Sequence, residues 1–155
     1  MADRSVIQGG PWHVEKDAGS SSAFTQPDPP SGPLEFRYRL GTGERLGQYA
    51  ALGISVGTGL SGRTQLAFRA QASQPMRLSV QARRPRSGDR WQRSVYLDTN
   101  ARDVVVPVSE MRAVAGSTST FNPGLADTVL FVVDLTNAVP GTDGVVTLSD
   151  LRLER

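Results

Sequence analysis

His13 is the only histidine of this 155-residue chain, and there is no cysteine. A nucleophile–histidine–carboxylate relay could therefore be built only around His13. That residue lies in the alternating stretch Trp12-His13-Val14-Glu15, where a strand histidine facing solvent is expected. The missing cysteines exclude disulfides, thiolate metal sites and thiol nucleophiles. Aspartates and glutamates are scattered, and a hydrolytic pair of carboxylates is defined by separation in space, so no two of them stand out. Gly41-Thr42-Gly43 and Gly57-Thr58-Gly59 fall between alternating runs and precede no helix, unlike loops that cradle phosphates. These residues predict a protein that breaks no bond.

Two binding chemistries remain. Glu15, Asp17 and Asp150 come from the two ends of the chain. If the first and last strands pair, these carboxylates together with backbone carbonyls would suit a structural Ca²⁺, a hard ion that takes oxygen ligands. The alternative is three solvated or salt-bridged carboxylates. The basic side is almost wholly arginine, Lys16 being the only lysine, and the net charge is +2. Nucleic-acid binding calls for a basic stripe interleaved with aromatics. The nearest run, Arg83-Arg84-Pro85-Arg86, leads into Ser87-Gly88-Asp89 and reads as a strand end entering a turn, so no nucleic-acid partner is expected.

The elements that must position these residues follow a period of two, which places alternate side chains on opposite faces of a strand. In Leu34-Glu35-Phe36-Arg37-Tyr38-Arg39-Leu40 the apolar residues take one side and the charged ones the other. The same pattern predicts strands over 48–57, 63–70, 76–83, 90–97, 103–108, 128–135 and 144–153, with a ninth over 12–16. Turn residues such as Gln74-Pro75, Ser87-Gly88-Asp89 and Thr99-Asn100 separate them. The expected fold is all-β: one domain over 1–155, a two-sheet antiparallel β-sandwich (jelly roll) of about eight to nine strands. Residues 1–10 are expected to be a flexible N-terminal segment, and 18–33 and 113–126 irregular. Val108 to Arg112 should make one helical turn capped by Ser109. In the last strand Val146, Leu148, Leu151 and Leu153 cannot all face inward under strict alternation, which predicts a bulge near Ser149-Asp150. No apolar run approaches the roughly 20 residues of a membrane-spanning helix, and MADRSVIQGG lacks a charged segment followed by an apolar core.

In such a sandwich one sheet collects 48–57, 128–135, 76–83 and 90–97. Leu52, Ile54, Val129, Phe131, Leu78, Val80, Trp91 and Leu97 then point inward. The opposite face carries Tyr49, Ala51, Gly53 and Ser55; Thr128, Leu130, Val132 and Asp134; Arg77, Ser79, Gln81 and Arg83; and Gln92, Ser94 and Tyr96. A floor of small and apolar residues ringed by planar polar groups and tyrosines suits a sugar, whose C–H face packs on flat surface while its hydroxyls take paired hydrogen bonds. The same residue types also clothe an ordinary solvated sheet face. On the first reading Tyr96 stacks, and Tyr49, Arg77, Gln81, Arg83, Gln92 and Asp134 surround the Ala51/Gly53 floor.

The order Trp12…Glu15…Asp17…Ser20-Ser21-Ser22, Arg90-Trp91-Gln92…Tyr96-Leu97-Asp98, Val104-Val105-Val106-Pro107-Val108-Ser109-Glu110-Met111, Leu130-Phe131-Val132-Val133-Asp134 and Val145 to Leu153 resembles the carbohydrate-binding-module-like jelly rolls of the galactose-binding-domain-like group. The resemblance implies a noncatalytic module of a larger bacterial protein, secreted, periplasmic or on the cell surface. It implies a polysaccharide or oligosaccharide bound on a concave sheet or at edge loops, and in some members a structural calcium near both termini, where Glu15, Asp17 and Asp150 lie. The other reading is a structural or protein-interaction sandwich of a surface or signalling protein.

Overall fold

Alternating burial is realised as extended chain through most of the residues that the computed structural model describes: 4–6, 12–25, 33–42, 47–56, 60–117 and 120–154. Their strands are β1 (Arg4–Val6), β2 (Trp12–Lys16), β3 (Ser21–Thr25), β4 (Leu34–Arg39), β5 (Tyr49–Ser55), β6 (Gln65–Ala72), β7 (Met76–Arg83), β8 (Arg90–Leu97), β9 (Arg102–Pro107), β10 (Arg112–Ala113), β11 (Thr128–Asp134) and β12 (Asp143–Glu154). One sheet has the order β3-β4-β12-β6-β9, with β1 also on β12; the other runs β10-β8-β7-β11-β5-β2. Every pairing is antiparallel.

All nine expected strands are present, and β1, β3 and β10 are additions. Residues 4–6, expected in a flexible segment, pair with residues 152–154 of β12. Ser21–Thr25, expected to be irregular, extends the first sheet along β4 because a long neighbouring strand offers a free edge. Val108–Glu110 is a single 3₁₀ turn, but it is capped at Pro107 without a side-chain bond, so Ser109 does not act as the cap. The expectation that 57 to 59 separate two strands falls outside the described residues.

The last strand bulges where its apolar spacing demands. Its register on β6 shifts between Ser149 and Arg152, and Asp150 takes φ 54°. That single left-handed residue lets Val146, Leu148, Leu151 and Leu153 all be buried. The two sheets close over one core, in which Phe68 of the first meets Phe131 of the second edge-on at 5.4 Å. Trp91 points inward as expected and stacks on Phe121 at 4.7 Å. Between β7 and β8 the reversal uses Arg86 and Gly88, both at positive φ, which Gly88 adopts without steric cost. No helix among the described residues is long and apolar enough to cross a membrane.

Candidate functional site

Strand register sets the outer face of the second sheet in rows. One row is His13, Gly53, Leu130, Gln81, Gln92 and Arg112, and the next is Glu15, Ala51, Val132, Ser79 and Ser94. Tyr49 opposes Asp134 at one end of β5, while Ser55, Thr128, Arg83 and Arg90 form the row at the other end. An outward row is normally wet, yet Ala51, Leu130 and Val132 are 1–2 % exposed and make a small apolar cluster of their own, with Tyr49 packed against it.

The cover over that cluster is ionic. Arg83 donates two bonds to Glu15, Nη1 to Oε1 at 2.7 Å and Nη2 to Oε2 at 2.8 Å. Glu15 lies three strands and two rows away, roughly 14 Å across the sheet and about 14 Å along it if the sheet were flat. Two side chains do not bridge such a diagonal on a flat surface. Strand twist has to raise these two corners toward each other, which makes the face concave along that line. His13 completes the bridge, its Nε2 being 2.7 Å from Glu15 Oε2. Gly53 leaves room for the His13 ring above it: a Cβ there would stand 2.4 Å from His13 Cε1 and 3.0 Å from Leu130 Cδ2, so the ring would have to move. The hydrogen bonds from Arg83 outweigh partial burial and hold the Glu15 carboxyl below its ordinary value, and Glu15 in turn raises Arg83.

Beside this bridge runs a polar chain. Ser79 Oγ donates to Gln92 Oε1 at 2.5 Å, Gln81 Nε2 donates to Ser79 Oγ at 3.1 Å, and Arg90 Nη1 donates to Gln81 Oε1 at 3.3 Å. At the bridge lies a depression of about 480 Å³, lined by Glu15, Tyr49, Ala51, Arg83, Leu130, Val132 and Asp134 among others, with Arg90 as the member of the polar chain that reaches it.

The seven expected ligand residues share this face but not one position on it. Tyr49, Arg83 and Asp134 line the depression. Gln81 is buried, with both ends of its amide engaged, and Gln92 accepts from Ser79, so these two brace the wall. Arg77 and Tyr96 oppose each other at the far end of the sheet, where Arg77 Nε donates to Ser94 Oγ at 2.8 Å and Arg102 sits 5.1 Å from the centre of the Tyr96 ring. Asp134 also shapes the turn after β11 by accepting from the Thr136 backbone N–H and hydroxyl. Glu15, His13 and Arg90 join the site unannounced. Alternation from Gln92 already places Arg90 outward, whereas the contribution of β2 depends on its pairing with β5.

The calcium residues do not converge. Glu15 belongs to the ion bridge. Asp17 ties the β2–β3 turn to the start of β5 by accepting from Ser20 Oγ, from Gly19 N at 3.2 Å and from Tyr49 N at 3.0 Å; the Ser20 bond chiefly lowers its pKa. Asp150 is exposed on the bulge of the other sheet. Among the described residues no three His, Asp or Glu side chains come together in a way that could hold a metal ion. The residues therefore do not fit the calcium expectation.

Two packed antiparallel sheets around one core define a two-sheet antiparallel β-sandwich. Solved structures with this fold include jelly-roll carbohydrate-binding modules of families 11 and 29. The family 11 carbohydrate-binding module of the cellulosomal cellulase Lic26A-Cel5E of Clostridium thermocellum superposes with a TM-score of 0.73 at 14% identity, covering 97% of this chain and 94% of that one. The Clostridium thermocellum family 11 module in complex with a β-1,3-1,4-mixed-linked tetrasaccharide gives 0.72 at 14% identity, covering 98% and 94%. A family 29 module complexed with cellulohexaose gives 0.58 at 11% identity, covering 99% and 91%. No family model matches the sequence, and no curated protein matches it.

Proposed function

We propose that this protein is a noncatalytic glycan-binding module that takes an oligosaccharide segment in the depression on the outer face of the second sheet. The observation that carries this reading is the sheltered cluster of Ala51, Leu130 and Val132 beneath planar hydrogen-bonding groups, in a depression of about 480 Å³. Such a surface offers a sugar flat packing together with bidentate donors and acceptors already fixed in place, so little side-chain freedom is lost on binding. Tyr49 supplies the flat wall, Arg83 and Arg90 donate, and Glu15 and Asp134 accept. The tetrasaccharide and cellulohexaose named for the neighbours are extended glycans, which supports a chain rather than a single sugar as ligand. The Clostridium thermocellum neighbour is a module of a cellulosomal cellulase, and this supports an extracytoplasmic setting as part of a larger protein.

Affinity electrophoresis in gels containing mixed-linked β-glucan, glucomannan, mannan, xylan or polygalacturonate tests the reading. Retardation in at least one gel, reduced about tenfold or more in apparent affinity by Tyr49→Ala with the melting temperature little changed, is the expected result. Wild-type mobility unaffected by every polysaccharide would defeat it.

A further inference from the structure

The charges on this face are unevenly partnered. Arg83, at the end of β7, reaches toward β2 and is neutralised by Glu15. On the β7–β8–β10 side of the face stand Arg77, Arg90 and Arg112, and among the described residues none of them has a carboxylate partner. Arg77 donates to Ser94, Arg112 to the carbonyls of Ser109 and Met111, and Arg90 only to the Gln81 amide oxygen. The nearby acids have partners of their own. Glu110 faces Arg93, Asp98 pairs with Arg102, Asp134 is used in its own turn, and Asp127 accepts from Thr128 Oγ1 and acts on Arg83.

Arg90 is the pivotal group because it lines the depression and is half-buried. Its backbone is clamped: Ser117 Oγ accepts from Arg90 N at 2.9 Å and donates to Arg90 O at 3.1 Å, and Val114 N donates to the same carbonyl at 2.9 Å. A guanidinium carries five N–H donors, and one neutral amide satisfies a single one of them. Strand alternation then repeats the feature. Along β8 the outward rows are about 6.8 Å apart. Arg90 occupies the first row, Arg112 stands opposite Gln92 in the second, and Arg77 stands opposite Tyr96 in the fourth.

A neutral glycan offers these three cations only hydroxyls. A planar carboxylate offers paired acceptors that match the guanidinium fork and returns the charge that the protein lacks there. Resting on the glycan-binding reading, we infer that the ligand is an acidic glycan bearing uronate carboxylates, with Arg90 gripping one carboxylate at the depression and Arg112 and Arg77 facing others further along the chain. Nucleic acid fits less well, because successive bases need open aromatic faces. Tyr96 carries a guanidinium near its ring, which leaves Tyr49 as one open aromatic wall where successive bases would need several.

The test is affinity electrophoresis with the intact chain against polygalacturonate, its fully methyl-esterified form, mixed-linked β-glucan, dextran sulfate and single-stranded DNA at physiological ionic strength, with melting curves for each variant. Polygalacturonate should bind at least about tenfold more tightly than its ester, and Arg90→Gln should weaken that binding about tenfold, as expected for a lost charged hydrogen-bond pair. Arg112→Gln, at an exposed residue whose guanidinium donates to the carbonyls of Ser109 and Met111, should weaken it about threefold. Arg37→Gln on the other sheet should leave it unchanged. Equal losses for Arg37→Gln and Arg90→Gln would reduce the effect to net charge and overturn the inference. So would equal binding of acid and ester, or retention by dextran sulfate or DNA without retention by polygalacturonate. Binding to β-glucan alone, indifferent to Arg90→Gln, would overturn it while leaving the module a glycan binder. No binding to any polysaccharide would remove both readings.

Discussion

The outer faces of the two sheets are written in the same alphabet and behave differently. On the first sheet Arg37 faces Glu35 at 3.4 Å and Arg69 faces Asp103 at 3.3 Å, with all four side chains between 47 and 78% exposed. On the second, Arg83 meets Glu15 at 2.7 Å, and the two side chains are 28 and 25% exposed. Both faces are hollowed, since a depression of about 440 Å³ lies over Arg37, Arg39 and Asp143 on the first sheet. Volume therefore does not distinguish them. What distinguishes them is shelter: among the described residues, outward side chains form a buried apolar cluster on the second sheet, and there an ion pair reaches across several strands. A solvated ion pair contributes little, whereas a sheltered bidentate pair holds its geometry.

The largest expected effect separates the faces through their apolar residues. Leu130→Ala should lower stability by about 2–5 kcal/mol, as for a core leucine, although the residue points away from the main core. Val105→Ala on the first sheet, whose side chain is half exposed, should cost under about 0.5 kcal/mol. Equal midpoints for the two variants in urea unfolding would erase the distinction. Next comes Gly53→Ala, for which the added Cβ has to displace the His13 ring; about 1–3 kcal/mol is expected. The His13 imidazole signals in NMR should shift while those of the core strands stay in place.

Of similar size, but dependent on pH, is the effect of breaking the ion bridge itself. Glu15→Gln should cost about 1–3 kcal/mol near neutral pH, because Arg83 is left half-buried without its counter-ion, whereas Glu35→Gln should be nearly silent. The Glu15 carboxyl is lowered in the folded protein, chiefly by its hydrogen bonds to Arg83. Its contribution is therefore complete above the unfolded value of about 4.3 and is lost as pH falls through the lowered folded value. Unfolding curves of wild type and Glu15→Gln should converge in that acid range. A gap that persists below it would assign the stabilisation to packing rather than charge.

Much of this could be read without coordinates. Alternation places Leu52, Phe131 and Val80 inward and Tyr49, Leu130 and Gln92 outward, since side chains on a strand have no third choice. The bulge was equally legible, because four apolar residues in β12 could be buried in no other way. Two features were not. The strand Ser21–Thr25 has only Ala23 and Phe24 as apolar residues and owes its conformation to the free edge of β4. Glu15 reads as a metal ligand when the first and last strands are imagined side by side, but β2 lies on β5 in the sheet opposite β12.

The sequence by itself determined the class of fold and the two sides of nearly every strand, because a period of two is a local property of the chain. Tertiary structure alone decided that β2 would edge the second sheet and that twist would lift its corner toward Arg83. Glu15 and Arg83 are 68 residues apart. The twist of the second sheet brings them within hydrogen-bond reach, and that contact turns its outer face into a site.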